Sequence, residues 1–586
     1  MVLKQLNYIF NKRQKLEFVL LFLIILIGSG LELVGVAAIM PLVEVVTKPD
    51  IIQSKIYYRR IYEFFDLKSE TQFVIIFVVL LIFIYIIKNV FILCMNYCQY
   101  IFTYNNLRKT AMKMMRCYMS QSYLFHVSKN VAELQRNMNE DVRMLYTAIL
   151  SAVQMLAELL TCLLLAIYLL IIDPSISIGV ITILSLFTYV YLILAKNKSA
   201  KYGEEDRALT LDMNKWIRQS FEGIKEIKIA NREELYIRRV DKTFEKECKI
   251  TTKQRTINGA PKPIFEAVCI SAMLLVVGIK INMGVSLSYF IPVLSTFVVA
   301  TFRLLPSFGK LAGYINSITF NKPAIKNVYE DLLEIDMLQK NTKDKCNNNE
   351  GIPFHNNIKV DNITFSYPNT TSLIFNSASV EIKKNSIVAF IGKTGEGKST
   401  LADIILGLLE PQKGHVYVDN NDIKDNEFGW HRLIGYIPQS IYLIDDTIRN
   451  NILFGIPDDE VKEEQIWNVL SSAQLIEFVN ELPDGIDTVV GERGIRLSGG
   501  QRQRIGIARA LYAEPEILIL DEATSALDND TENAVMEAID GLKGTRTIII
   551  IAHRLTTLKN CDEIYEVCSG KIIRREKSEV LDGILQ

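Results

Sequence analysis

The run Gly392-Lys393-Thr394-Gly395-Glu396-Gly397-Lys398-Ser399-Thr400 has the glycine spacing and the Lys-Ser/Thr ending of a loop that holds phosphate. Its glycines let backbone N–H groups turn inward around a β- and γ-phosphate, and Lys398 adds a compact positive charge. The Ser399 hydroxyl stands where it can ligate Mg²⁺. Alone, the loop implies only a nucleoside triphosphate. Two later runs narrow the field: Leu497-Ser498-Gly499-Gly500-Gln501, then Ile517-Leu518-Ile519-Leu520-Asp521-Glu522, an apolar strand ending in two carboxylates. Glu396 is an unusual occupant of such a loop, where a small residue is commoner. A carboxylate beside phosphates is expected to face solvent, with little consequence.

These residues need a rigid α/β scaffold, and the chain supplies one only in its second half. At 586 residues it is too long for one core, so two or more domains are expected. The formal net charge of −1 gives no reason to expect nucleic acid as a partner. Mean hydropathy is positive, and the apolar excess lies in the first half. Apolar windows of spanning length fall at 18–42, 73–98, 145–171, 175–195, 264–282 and 287–305, which makes six spans. Lys4, Lys12, Arg13 and Lys15 lead into a first span too long for a cleavable signal.

The stretches 108–143 and 196–262 are rich in Lys and Arg, whereas the links at Asp173-Pro174 and near Asn282 are short and nearly uncharged. Positive-inside logic puts the N-terminus and both basic stretches in the cytoplasm. Each keeps helical patterning, so both are expected to extend spans below the membrane. Each needs a reversal, at Ser122–His126 and at Phe221–Lys225, and these are candidate coupling helices. Residues 48–68 mix Lys48, Lys55, Arg59, Arg60 and Lys68 with Tyr57, Ile61 and Phe64/Phe65 at helical spacing, which suggests an amphipathic helix at the outer interface or one packed on the bundle. Nine cysteines show no metal-ligand spacing; Cys94 and Cys98 read as packing residues on one helix. From about residue 356, short β-rich runs alternate with helical patterns.

Six spans followed by this set of motifs resemble the half-transporters of the ATP-binding-cassette (ABC) exporter superfamily. The resemblance covers the whole chain and implies the type IV exporter architecture: an all-α six-helix transmembrane domain at 1–335, a linker at 336–355 and an α/β P-loop nucleotide-binding domain at 356–586. It implies an ATPase coupled to transport, with ATP and Mg²⁺ as cofactors. On matching positions, Tyr367 in Phe365-Ser366-Tyr367-Pro368 would stack on adenine. Asp521 would hold the metal with Ser399, and Glu522 would polarise the attacking water. Gln439 would sense Mg²⁺ and γ-phosphate, His553 would hold the γ-phosphate, and Asp528 would link two sites. Ser498, Gly499, Gly500 and Gln501 would close over ATP bound by a partner chain, so a homodimer with two competent sites is expected. Gly491-Glu492-Arg493-Gly494 resembles the loop of exporter-type cassettes, which implies export or outward flipping.

The cargo is less explicit. Lys88, Lys262 and Arg303 are cations within or beside spans, and ionisable residues there default to functional hypotheses. Facing one cavity they would suit a phosphate or pyrophosphate head. Otherwise Lys262 would pair with Glu266, four residues on, and Arg303 with Glu32 or Glu158. Glu32 with Met40-Pro41, Ala260-Pro261-Lys262, Phe302–Ser307 and Gln439–Leu443 resemble bacterial flippases of the PglK type, which move polyprenyl-pyrophosphate-linked oligosaccharides. That resemblance implies flipping of such a glycolipid across the bacterial cytoplasmic membrane, with the bilayer and the glycolipid as partners and the ATPase domain in the cytoplasm. In that family cavity cations are associated with the pyrophosphate; Lys88 and Lys262 stand where Arg would be expected, without its bidentate geometry. Lipid A, drug or peptide export is the alternative, and a nucleotide-gated channel with little hydrolysis is the alternative of another class. A soluble ATPase acting on DNA or ribosomes does not fit six spans.

Overall fold

A computed structural model describes the chain except for residues 1–7, 48–49, 65–68, 283–286, 343–350, 369, 371, 523–531, 533–535, 538–540, 553–557 and 583–586, together with the side chains of some helical residues, chiefly between 269 and 294. Two compact units emerge. One comprises Met1–Gln121 and Lys129–Leu338, the other Ser122–Ser128 and Gln339–Gln586.

The first unit is helical. The helices Glu70–Met119 and Pro174–Glu222 have 50 and 49 residues. At 1.5 Å rise per residue each reaches about 75 Å, more than twice the ~30 Å hydrocarbon core of a bilayer. Helices extended well beyond spanning length, as expected from the patterning, therefore form. Local chemistry sets the ends. Asn11 and Gln14 build a reciprocal capping box at the start of Lys12–Ala37, Ser69 caps Glu70–Met119, and Pro174 occupies the first turn after Asp173, where its missing N–H costs nothing. Among the described residues, four segments are long and apolar enough to cross a membrane: Lys12–Thr47, Glu70–Met119, Val131–Ile172 and Ser177–Glu222. The windows expected for spans five and six fall in the helices Pro261–Asn282 and Leu287–Phe320.

Large apolar side chains such as Leu20, Ile27, Phe83 and Leu93 point outward from this bundle, as lipid-facing residues must. Its inside mixes a cluster of Val36, Leu165, Leu169, Phe297, Ala300 and Leu304 with small polar contacts. Thr161 donates to Ser29 at 3.2 Å and Ser151 donates to Ser317 at 2.9 Å. Such residues let helix backbones approach closely where lipid removes the hydrophobic drive. Of the outer stretch, Ile51–Ser54 and Ile56–Phe64 are helical, while Lys48, Phe65 and Lys68 lie outside the described residues. Glu44 binds Lys55 and Tyr58, and Tyr58 packs with Phe73, so one face of this short helix rests on the bundle while Ile56 and Tyr57 stay exposed. The second expected reversal forms as the helix Ile224–Ile229 after Gly223.

Among the described residues of the second unit, ten strands run in chain order: β1 Asn357–Phe365, β2 Phe375–Lys383, β3 Ile387–Ile391, β4 Lys413–Val418, β5 Asn421–Asp422, β6 Ile434–Ile437, β7 Ile517–Asp521, β8 Thr547–Ile551, β9 Glu563–Cys568 and β10 Lys571–Arg575. A four-stranded antiparallel sheet has the order β2-β1-β4-β5, and a six-stranded sheet the order β10-β9-β3-β8-β7-β6. Strands β9 to β6 in that sheet are parallel, with β10 antiparallel at one edge. Their side chains alternate between two cores: Ala389, Leu518, Leu520, Ile548 and Ile550 face one way, Val388, Phe390, Ile517, Ile519 and Ile549 the other. Burial on both faces explains why β7 and β8 read as unbroken apolar runs. Residues Ser122–Ser128, which contain the first expected coupling helix, group with this unit; the helix runs Tyr123–Ser128, and Leu124 packs on the second core.

Candidate functional site

In open parallel sheets the carboxyl ends of the strands are where ligands are held. β3 ends at Ile391 and runs into Gly392, and β7 ends at Asp521, with β8 between them. The chain therefore delivers the glycine-rich loop and the two carboxylates to the same edge. Two glycines are obligatory. A Cβ on Gly392, at φ +147°, would stand 2.4 Å from the Val567 carbonyl oxygen; one on Gly397, at φ +101°, would stand 2.6 Å from Ile374. Gly397 precedes the helix Lys398–Ile405, so its turn aims that helix's N-terminal N–H groups into the loop.

Lys398 is buried and folds back on the loop, donating to the carbonyls of Gly392 at 2.8 Å and Lys393 at 3.1 Å. Burial lowers its pKa, while Glu522, Asp521 and Glu396 pull the other way. The ammonium is thus parked in a curl of carbonyls that a phosphate can replace. Ser399 Oγ donates to Asp521 Oδ1 at 3.3 Å, so two hard oxygen ligands from the two motifs meet. Gln439 Nε2 donates to Glu522 Oε2 at 2.6 Å. Glu522 takes φ +48°, a left-handed turn at the end of a buried strand, with its N–H on the Ile551 carbonyl. Lys393, Thr394 and Gly395 form the exposed tip of the loop. The Tyr367 hydroxyl pairs with Thr400 Oγ1 at 3.2 Å, which puts the aromatic ring beside the first turn of the loop's helix.

Ser498 caps the helix Gly499–Tyr512 through a reciprocal box: Gln501 N–H donates to Ser498 Oγ at 3.2 Å and Ser498 N–H to Gln501 Oε1 at 2.8 Å. Gly499 and Gly500 open its first turn, a helix start that favours anions. Asp528 and His553 lie outside the described residues.

Two features of the cassette were not expected from the sequence. Glu396 does not simply face solvent: its Oε2 accepts the Ser569 N–H at 2.9 Å, tying the loop to the turn between β9 and β10. The partner is remote in sequence, so nothing local signalled it. Asp403, half-buried on the loop's helix, has its carboxyl pushed up to about 6, first by burial and then by Asp521.

In the helical unit, Lys88 and Arg303 converge on one carboxylate. Lys88 Nζ lies 3.4 Å and Arg303 Nε 3.0 Å from Glu32 Oε2. Arg303 also pairs with Glu158 at 3.4 Å, and Lys310 reaches the same carboxylate at 2.8 Å. Lys262 does not join them. It lines a cavity of about 490 Å³ with Glu266, Ile270, Leu274, Phe302 and Pro306. Lys310 was missed, although residues 303, 307 and 310 repeat at helical spacing and mark one polar face.

An α/β phosphate-loop cassette and a bundle of long apolar helices on one chain define an ATP-binding membrane transporter. Family models give the same division: an ABC transporter transmembrane region matches residues 51–302 and an ABC transporter domain matches 375–525. A protein named ATP-dependent lipid A-core flippase from Desulfotalea psychrophila is 32% identical over 410 residues, 68% of this chain and 70% of that protein. A protein of the same name from Nitrosococcus oceani is 30% identical over 365 residues, covering 62% and 60%. One from Shewanella frigidimarina is 43% identical over 217 residues, so there the match spans only 36% of the relative's length. The chain belongs to the ABC transporter family, as a half-transporter of the type IV exporter fold.

Proposed function

We propose that this protein is an ATP-driven flippase that carries a phosphate-headed lipid outward across a bacterial cytoplasmic membrane, working as a homodimer. The observation that carries the reading is a pair of sites on one chain: a phosphate loop with its two carboxylates in the cassette, and Lys88 and Arg303 held on Glu32 and Glu158 in the helical unit, with Lys310 at the exposed edge. Intramembrane cations are costly, so an anionic lipid head is the cargo they fit. Relatives named lipid A-core flippases favour a lipid A-type cargo. The resemblance to PglK-type flippases favours a polyprenyl-pyrophosphate oligosaccharide. Both cargoes join an apolar tail to a phosphate-bearing head.

In the cassette, Tyr367 would stack on adenine, and backbone N–H groups of Gly392–Thr400 with Lys398 would surround the phosphates. Ser399 and Asp521, with Gln439, are oxygen donors suited to Mg²⁺, which would neutralise charge on the β- and γ-phosphates. Glu522 would accept a proton from the attacking water, and its bond to Gln439 holds it in position until nucleotide arrives. His553 would contact the γ-phosphate, and Asp528 would link the two sites. Ser498 and Gly500 of each chain would complete the partner's site, so closure of two cassettes reports ATP to the helices. Residues 1–335, 336–355 and 356–586 would serve as membrane domain, linker and motor.

The test is ATP hydrolysis by the full-length protein in nanodiscs, measured against lipid A, undecaprenyl pyrophosphate and a neutral amphipathic drug. Stimulation by phosphate-bearing lipids alone supports the reading, and the stronger lipid names the cargo class. Stimulation by the drug alone makes it a drug exporter. Near-zero hydrolysis under all conditions favours a nucleotide-gated channel or regulator.

A further inference from the structure

The membrane cluster holds three cations, Lys88, Arg303 and Lys310, against two carboxylates, Glu32 and Glu158, leaving one excess positive charge. Among the less exposed members Glu32 and Glu158 offset Lys88 and Arg303, a balance that a ligand could supply instead, and the excess charge sits on the exposed Lys310. Access is graded. The side chains of Lys88, Glu32 and Glu158 are 11%, 13% and 11% exposed, whereas that of Lys310 is 51% exposed. Lys310 also falls five residues past the end of the sixth apolar window at 305, toward the cytoplasmic side. Glu158 joins the exposed end of the cluster to its interior: it accepts from Lys310 at 2.8 Å and from Ser307 at 2.7 Å, and Ser307 in turn accepts from Arg303 at 2.7 Å.

We infer that Glu32 and Glu158 are resident counter-ions which the phosphate or pyrophosphate of the lipid head displaces, and that Lys310 is the first cation the head meets. This rests on the flippase reading above. A phosphate monoester carries about two negative charges at neutral pH, more than the single excess cation can absorb. Binding therefore releases a carboxylate from its partners, and the outermost pair, Glu158–Lys310, opens first. A neutral amphipath offers nothing in exchange for that pair and leaves the cluster closed. Selectivity for phosphate-headed lipid then comes from the glutamates as much as from the cations.

The two ends of one ion pair make the test. Full-length wild type, Glu158→Gln and Lys310→Ala are compared in phosphatidylcholine nanodiscs by the concentration of lipid that half-maximally stimulates ATP hydrolysis. The lipids are bisphosphorylated lipid A, dephosphorylated lipid A and undecaprenyl pyrophosphate. Removing the competing carboxylate should lower the half-stimulating concentration about fivefold, and removing the cation should raise it about fivefold, the upper range measured for partly solvated ion pairs. Both shifts should occur with bisphosphorylated lipid A and undecaprenyl pyrophosphate and not with dephosphorylated lipid A. Ser307→Ala, which keeps every charge and loses a donor to Glu158, should move in the same direction as Glu158→Gln and serves if that variant folds poorly. Shifts of the same sign in the Glu158 and Lys310 variants identify a purely structural ion pair and overturn the inference. A wild type that answers to no phosphate-bearing lipid overturns the flippase reading itself.

Discussion

Glu522 leaves a fully buried strand at positive φ and turns its carboxylate onto Gln439, while Asp521, one residue earlier, meets Ser399. Adjacent carboxylates thus take separate directions, one onto Ser399 and one onto Gln439. Glu522→Gln should retain ATP binding and lose hydrolysis by at least about a hundredfold, the usual worth of a general base. Phosphate release together with binding of a fluorescent ATP analogue checks this. Glu396 calls for a finer comparison. Glu396→Gln keeps an oxygen for the Ser569 N–H, whereas Glu396→Ala does not. The KM for ATP should stay near wild type in the first and rise a few-fold in the second; equal behaviour in both would make charge, not the bond, the relevant property. Asp403 predicts a pH effect. Its carboxyl is raised from 3.8 to about 6, so the folded chain holds that proton better than the unfolded chain. Its stabilising contribution is complete below about pH 4 and is lost as pH rises through 6. Asp403→Asn should therefore raise the unfolding temperature at pH 7.5, with the gap shrinking toward pH 5. A gap independent of pH would contradict the assignment. At this scale the motif residues were legible because fixed spacing on one strand–loop–helix carries their chemistry. The Glu396–Ser569 bond was not, because it joins parts of the chain 173 residues apart.

Elements carry the next level. Alternation along β3, β7 and β8 divides their residues between two cores, and that division lays the loop beside Asp521. Gly392→Ala places a Cβ 2.4 Å from a backbone oxygen at a φ that L-residues avoid, so it should abolish ATP binding and lower thermal stability together. Normal ATP binding by a folded Gly392→Ala would show that the loop can shift around β9. Long helices were readable from periodicity alone, since 50 residues of Glu70–Met119 keep one pattern from apolar to basic. The ion pairs among helices were only partly readable. Sequence offered Glu32 and Glu158 as possible partners for Arg303, but which cations share a face depends on how helices pack. Lys262, of the right charge, lines a separate cavity, and Lys310 takes a place in the cluster.

At the scale of the whole molecule, one half supplies a nucleotide site and the other a charged interior within an apolar bundle. Family membership follows from both halves matching in order along one chain. The cargo was the least legible feature, because it depends on a cavity assembled from several helices, and in the proposed dimer from two chains. In the proposed cycle, hydrolysis at Glu522 drives a phosphate-headed lipid across the bilayer. Its most direct test is translocation of fluorescent lipid A and of a polyprenyl-pyrophosphate oligosaccharide in sealed proteoliposomes, with wild type and Glu522→Gln side by side. Wild type should transfer at least one of these lipids in an ATP-dependent manner, and Glu522→Gln none above the protein-free rate. Equal transfer by both proteins, or no transfer by an actively hydrolysing wild type, would contradict it.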